Sequence, residues 1–303
     1  MKNKRTPAGR PESLRERGSE GGLIRLNRYL ALNGIASRRR ADEMIQEGEV
    51  MVDDEIVTEL GTKIDPTLHR VEVDGVVLKP EGERKRYYLL NKPSGVVCTN
   101  DRRENRPRAV DLIADRKKGR IYTVGRLDED TVGIVILTND GDFAYRLSHP
   151  RYGIRKVYRV TVHGEITEED LAKLRAGVRL SDFRSHFEKV WLKKKSKMRS
   201  TLLLTLTEGR NREIRRVFAH LGYPVRDLRR CEYGSLSDRG LKVGHWRPLT
   251  REEVAELADL ACEENAGPPP KKVRRAARAP HRGERYGEQA RGRSRPRRAR
   301  HSR

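Results

Sequence analysis

An aspartate set between two apolar runs, two residues after an arginine, is the feature of this 303-residue sequence best placed to do chemistry. It is Asp128, within the stretch GRLDEDTVGIVILTNDGDFAYRLSHP over residues 125–150. A loop carboxylate held by a rigid scaffold can act as a nucleophile or a proton acceptor. The same residue in the same place can also cap a turn or pair with Arg126, and spacing alone leaves these readings open. Arg215 flanks the apolar helix face made by Ile214, Val217, Phe218 and Leu221, so it could reach a cleft while its helix stays packed. A surface arginine is the plainer alternative there. The sequence carries no GxGxxG, no GxxxxGK[ST] and no His/Cys cluster with ligand spacing, so neither a nucleotide cofactor nor a metal is expected. His149 and His220 read as structural or surface groups.

The elements that must position these groups are short strands and a few helices. Residues 87–90 form an apolar run stopped by Asn91-Lys92-Pro93-Ser94-Gly95, and 96–98 continue as strand. Residues 121–124 and 134–137 are further strands, the second stopped by Asn139-Asp140-Gly141. Tyr158, Val160 and Val162 share one strand face, and Leu202, Leu204 and Leu206 share another. The helix bearing Arg215 opens at Asn211 and ends at Gly222. Strands outnumber helices without alternating regularly with them. That favours an α+β fold with a mixed, largely antiparallel sheet over a doubly wound parallel one.

A smaller module precedes this one. Leu26, Tyr29, Leu30 and Asn33 space as a short helix ended by Gly34. Ser37 can cap a second helix with Ala41, Met44 and Ile45 on its apolar side and Gly48 at its close. Hairpins follow around Asp53-Asp54 and Asp74-Gly75.

Charge is spread unevenly. The chain carries 67 Lys+Arg against 44 Asp+Glu, a formal +23, and mean hydropathy is −0.84. Residues 266–303 hold 14 Lys+Arg against 2 Glu, and residues 1–22 hold 6 against 3. Both ends lack apolar periodicity and are expected to be disordered, because they cannot bury enough surface to offset chain entropy. An Arg-rich tail attracts an anionic polymer through counterion release. No run of apolar residues is long enough to span a membrane and the N-terminus has no signal-like apolar core. The three cysteines, Cys98, Cys231 and Cys262, form no CxxC, so a reducing cytoplasm is the expected location.

Two resemblances extend this reading. SRRRADEMIQEGEVMVDDEIV resembles an S4-type RNA-binding domain. The resemblance implies that Arg25, Arg28, Ser37, Arg38, Arg39 and Arg40 face RNA phosphates, a chemistry that helix N-termini and guanidinium forks suit. GRLDEDTVGIVILTNDG resembles the signature of pseudouridine synthases of the RsuA/RluB branch. The match runs on through HPRYGIRKVYRVTVHG, EGRNREIRRVFAHLGYPV and LRRCEYGSL, in family order. EGRNREIRR is closest to the RluB-like subgroup that modifies large-subunit ribosomal RNA. Glu213 stands where many relatives have Gln, a mild departure.

These resemblances imply a division into an S4-like domain at 23–80 and a catalytic domain at 86–258. They also imply a metal-free and cofactor-free isomerisation of uridine to pseudouridine, with 23S rRNA favoured over 16S rRNA. Asp128 is then the essential aspartate and must be ionised, a form an adjacent cation favours. Arg215 is assigned as that cation. Tyr158 becomes the stacking platform for the target base, Arg126 positions the flipped nucleotide or the loop, and Lys92 contacts the RNA backbone. The expected partner is ribosomal RNA or an assembly intermediate, bound by a monomer. The main competing reading is a non-catalytic RNA-binding or ribosome-assembly protein that kept the fold. A DNA-binding module is less well supported, since there is neither zinc-finger spacing nor a basic zipper.

Overall fold

The computed structural model describes residues 22–79 and 83–262. The two terminal basic segments, apart from Gly22, lie outside the described residues. In the first module the expected helices form as α1 (Leu26–Leu32) and α2 (Arg38–Gln46). Ser37 Oγ accepts from the Arg40 N–H at 3.1 Å, which satisfies one of the free donors at the start of α2. Leu26, Tyr29 and Leu30 from α1 and Ala41 and Ile45 from α2 are buried against Val50, Val52 and Val71. These valines belong to a four-stranded antiparallel sheet. Its two hairpins turn at Asp53-Asp54, with φ of 51° and 68°, and at Asp74-Gly75, with φ of 50° and 75°. Left-handed backbone at both central positions is what a two-residue hairpin of this twist requires, and Asp and Gly tolerate it.

The second module is built on a nine-stranded sheet. Its main path runs Lys189–Ser196, Arg199–Leu206, Lys156–His163, Val225–Tyr233, Val132–Thr138, Tyr87–Lys92 and Trp246–Pro248. Every neighbouring pair is antiparallel except Val225–Tyr233 with Val132–Thr138, which are parallel. The sheet is therefore mixed and largely antiparallel, as expected. Helices α3 (Gly141–Ser148), α4 (Glu168–Ala176), α5 (Glu213–His220) and α6 (Arg251–Leu260) pack on it. Ile214, Val217 and Phe218 of α5 close over Val160, Leu202 and Leu204. Fully burying side chains of this size contributes roughly 1.5–3 kcal/mol each.

Three local expectations are corrected. The first strand runs on through Asn91 and Lys92, both fully buried, where the Asn91 amide donates to the Leu241 carbonyl and the Lys92 ammonium to the Val96 carbonyl. Residues 96–98 do not form a strand. Val97 instead bonds the loop at Pro107 and Ala109, with one isolated bridge to Arg108. Asn211 does not cap α5. Arg212 occupies that position, with left-handed φ of 47° and no capping side chain.

Candidate active site

Asp128 sits on the loop that enters the strand Val132–Thr138, at the sheet's single parallel junction. Gly125 turns the chain into this loop at φ 70°. Leu127 buries its side chain in the core beside Val135 and Leu137, and its N–H points at Cys98 Sγ, 3.5 Å away. The Thr131 N–H bonds the Asp128 carbonyl at 3.1 Å, and the Gly95 N–H bonds the Glu129 carbonyl at 3.0 Å. The loop is thus anchored on both sides of Asp128. The carboxylate itself stays about a quarter exposed, at 26%.

It faces a cleft of about 400 Å³ that is also lined by Arg126, Tyr158, Arg212 and Leu228. Arg126 is exposed and forms no ion pair among the described residues. A pairing of Asp128 with Arg126 is therefore not what the loop uses. The nearest cation is Arg212, whose Nη1 lies 3.8 Å from Asp128 Oδ2. Its Nη2 lies 3.3 Å from Asp130 Oδ2. Arg215, the cation expected at Asp128, instead places Nη2 3.2 Å from Asp130 Oδ2 and 3.1 Å from the Asp130 carbonyl. The physical reason is reach. Arg215 rises from the packed first turn of α5, while Arg212 is swung over the cleft by its left-handed backbone. Both arginines clamp the Asp128 loop through Asp130, which the sequence did not single out.

Glu213 explains how the Arg212 segment is held. It is buried, its Oε2 accepts from the Arg210 N–H at 3.0 Å, and its Oε1 accepts from Ser185 Oγ at 2.7 Å. A carboxylate in the first turn of a helix is also favoured by the helix dipole. The departure from Gln is therefore structurally accommodated.

Tyr158 is half-buried and presents its ring to the cleft. Beneath it lies Arg230, 2% exposed, whose Nη1 is 3.4 Å from Tyr158 Oη and whose Nε donates to the Ile134 carbonyl at 2.8 Å. Lys156 is buried next to Arg230. Burial first, and the neighbouring guanidinium second, push its ammonium down to about 8. Gly133 faces Arg230 across the parallel junction. A Cβ there would lie 2.2 Å from the Arg230 carbonyl oxygen, which is why a glycine stands second in this strand.

Lys92 is corrected outright. It was expected to touch RNA, but it is fully buried and its Nζ donates to the carbonyls of Val96 at 2.7 Å, Pro93 at 2.8 Å and Glu129 at 3.1 Å. Burial holds its pKa below the ordinary lysine value. Its three donors are all committed, so it pins the Asp128 loop from below.

On the small module, Arg25, Arg38 and Arg39 are exposed and form no ion pairs among the described residues. Arg38 and Arg39 open α2 immediately after its Ser37 cap. Arg40 is drawn to Glu43, Glu47 and Glu49, and Arg28 to Asp142 at the start of α3. Exposed pairs of this kind are weak enough for phosphate to displace.

Comparison with known proteins gives this geometry its context. Residues 86–220 match the RNA pseudouridylate synthase family, and residues 24–68 match the S4 domain. The ribosomal large subunit pseudouridine synthase B of Bacillus subtilis (strain 168) is 44% identical over 241 residues, covering 79% of this chain and 97% of the relative. The chain belongs to the RNA pseudouridine synthase family. The dual-specificity RNA pseudouridine synthase RluF of Escherichia coli (strain K12) is 36% identical, covering 78% of this chain and 79% of the relative. A crystal structure of a pseudouridylate synthase superposes with a TM-score of 0.55 at 31% identity, covering 77% of this chain and 99% of that one. In this pseudouridine synthase the S4 domain and the catalytic sheet follow one another in the expected order.

Proposed function

We propose that the protein isomerises a uridine of large-subunit ribosomal RNA to pseudouridine, with Asp128 as the essential group. The observation that carries the reading is the convergence, in one cleft, of an anchored carboxylate, a half-buried aromatic ring and cations from two elements. The reaction breaks the N1–C1′ bond, turns the base and joins C5 to C1′. The C5 proton is lost and N1 gains one, so no redox partner is needed. Asp128, 3.8 Å from the Arg212 guanidinium, supplies the nucleophile or base. The target base must leave its stack at a cost of a few kcal/mol. Tyr158 offers it a face to stack on, and the free Arg126 guanidinium holds the nucleotide's phosphate. Arg25, Arg38 and Arg39 add phosphate contacts on the S4 module, where RNA is recognised by shape and loops.

The identity to the B. subtilis large-subunit enzyme favours that RNA over the small-subunit one. Among the described residues no helix is long and apolar enough to cross a membrane. A monomer acting in the cytoplasm on ribosomal RNA or an assembly intermediate is the simplest form of the proposal. The test is tritium release from transcripts labelled at uridine C5. Release from large-subunit transcript by the wild type, and none by Asp128→Asn, is expected. Release from small-subunit transcript alone, or undiminished release by Asp128→Asn, overturns the proposal.

A further inference from the structure

The catalytic sheet has a second face. Along Lys156–His163 side chains alternate, so Tyr158 points into the cleft while Val157 and Arg159 point away from it. On the outer strand Lys189–Ser196, Val190 and Leu192 pack into the core, and Lys189, Trp191 and Lys193 project from the opposite side. Between these strands lies a groove of about 510 Å³ whose floor is Val157 and Leu203. Its rim carries Trp191, 67% exposed, with Lys193 Nζ 6.0 Å from the indole centroid. Lys189 and Lys193 form no ion pair among the described residues. Arg155 on the same rim is held by Glu188, and among the described residues Glu232 is the one carboxylate lining the groove.

Lysines on an edge strand are also a device against strand-to-strand aggregation, and this strand carries a register shift between Leu192 and Lys194 that serves the same end. That accounts for the lysines. It does not account for an indole left two-thirds in water on the same face, with no core beneath it to complete. An exposed aromatic flanked by unpaired cations is the chemistry that binds single-stranded nucleic acid: the base stacks on the ring and the neighbouring phosphates meet the ammonium groups.

We propose that this outer face, with Trp191, Lys189, Lys193 and Arg159, is a second RNA-binding surface that holds an unpaired stretch of the RNA outside the segment seated in the cleft. It lies on the far side of the sheet from Asp128, so it adds affinity and register for long RNA without touching the reacting base.

The test compares two RNAs with the full-length protein. One is a minimal stem-loop that only fills the cleft, and the other is a large-subunit fragment of about 100 nucleotides with single-stranded flanks. Trp191→Ala is expected to weaken the long fragment about tenfold, the size of one lost stacking contact. Affinity and turnover on the minimal stem-loop stay at wild-type values. Trp191→Phe restores most of the loss. The double variant Lys189→Gln, Lys193→Gln is expected to lower the salt slope for the long fragment by about 2. Unchanged affinity of Trp191→Ala for the long fragment overturns the proposal. Equal weakening on both RNAs also overturns it, because the face would then be part of the cleft. Loss of a ribosomal-protein contact with RNA affinity intact overturns it in favour of a protein partner. Binding is read apart from tritium release, so an error in the assigned substrate shows separately.

Discussion

Replacing Lys92 by Met distinguishes a loop anchor from an RNA contact. The ammonium is fully buried and donates to three backbone carbonyls at 2.7–3.1 Å. Hydrogen bonds from a charged donor contribute roughly 1.5–3 kcal/mol each. Against that stands the cost of burying the ammonium, which is what holds its pKa down. Methionine fills the space and removes both terms, but leaves the Pro93 and Val96 carbonyls without that donor and the Glu129 carbonyl with the Gly95 N–H alone. The balance is a loss of about 3 kcal/mol, the usual result of removing one member of a buried charged network. Urea unfolding measures it. Because one of the three carbonyls belongs to Glu129, beside Asp128, the loop should also drift, and a displacement of about 1 Å costs on the order of 10²-fold in rate. The expected kinetic signature is therefore a fall in kcat with RNA affinity and salt slope unchanged. A variant that keeps kcat and stability but loses affinity and one salt-dependent contact would restore Lys92 as a backbone contact.

Three further outcomes follow from the same geometry. Arg212→Ala should lower kcat by about 10²-fold, the loss typical of removing one preorganised charge at the reacting centre, while Arg215→Ala should lower both kcat and stability because Arg215 is mostly buried against Asp130; equal effects on both properties from the two variants would contradict this assignment, read from single-turnover rates and urea midpoints. Gly133→Ala should destabilise by about 3 kcal/mol or more, since φ is 123° and the new Cβ meets backbone at 2.2 Å; a loss under about 1 kcal/mol in urea unfolding would show that the junction relaxes. Lys156 binds its proton more weakly folded, at about 8, than unfolded, near 10.5, so stability should rise with pH between those values by roughly 3 kcal/mol; Lys156→Met should flatten that slope, and an unchanged slope would show that Lys156 is not the group responsible.

Much of this architecture is legible in the sequence because local rules and tertiary structure agree. Asp53-Asp54 and Asp74-Gly75 announce hairpins that only left-handed turn residues can close. Ser37 announces the start of α2, and the period of Ile214, Val217 and Phe218 announces the buried face of α5. Asp128 is visible through the ordered motifs around it more than through spacing. What stays hidden depends on partners far away in the chain. A lysine in NKPSG reads as exposed: two of the carbonyls that hold Lys92 are only one and four residues on, but the turn that aims them inward and the third, from Glu129, are set by the fold. The left-handed backbone of Arg212 cannot be read from an arginine, so the cation nearest Asp128 is misassigned to Arg215. Asp130 looks like any loop aspartate until Arg212, at the cap of α5, and Arg215, in its first turn, converge on it. The run at 96–98 is apolar enough for a strand, yet its hydrogen bonds go to a loop.

If Asp128 converts one ribosomal uridine, a map of pseudouridine across ribosomal RNA records it. Cells carrying the wild-type protein are compared with cells carrying Asp128→Asn expressed at the same level. Loss of pseudouridine at a large-subunit position, with the rest of the map intact, is the predicted result. An identical map in the two strains would contradict it and favour a binding protein that kept the fold of an enzyme.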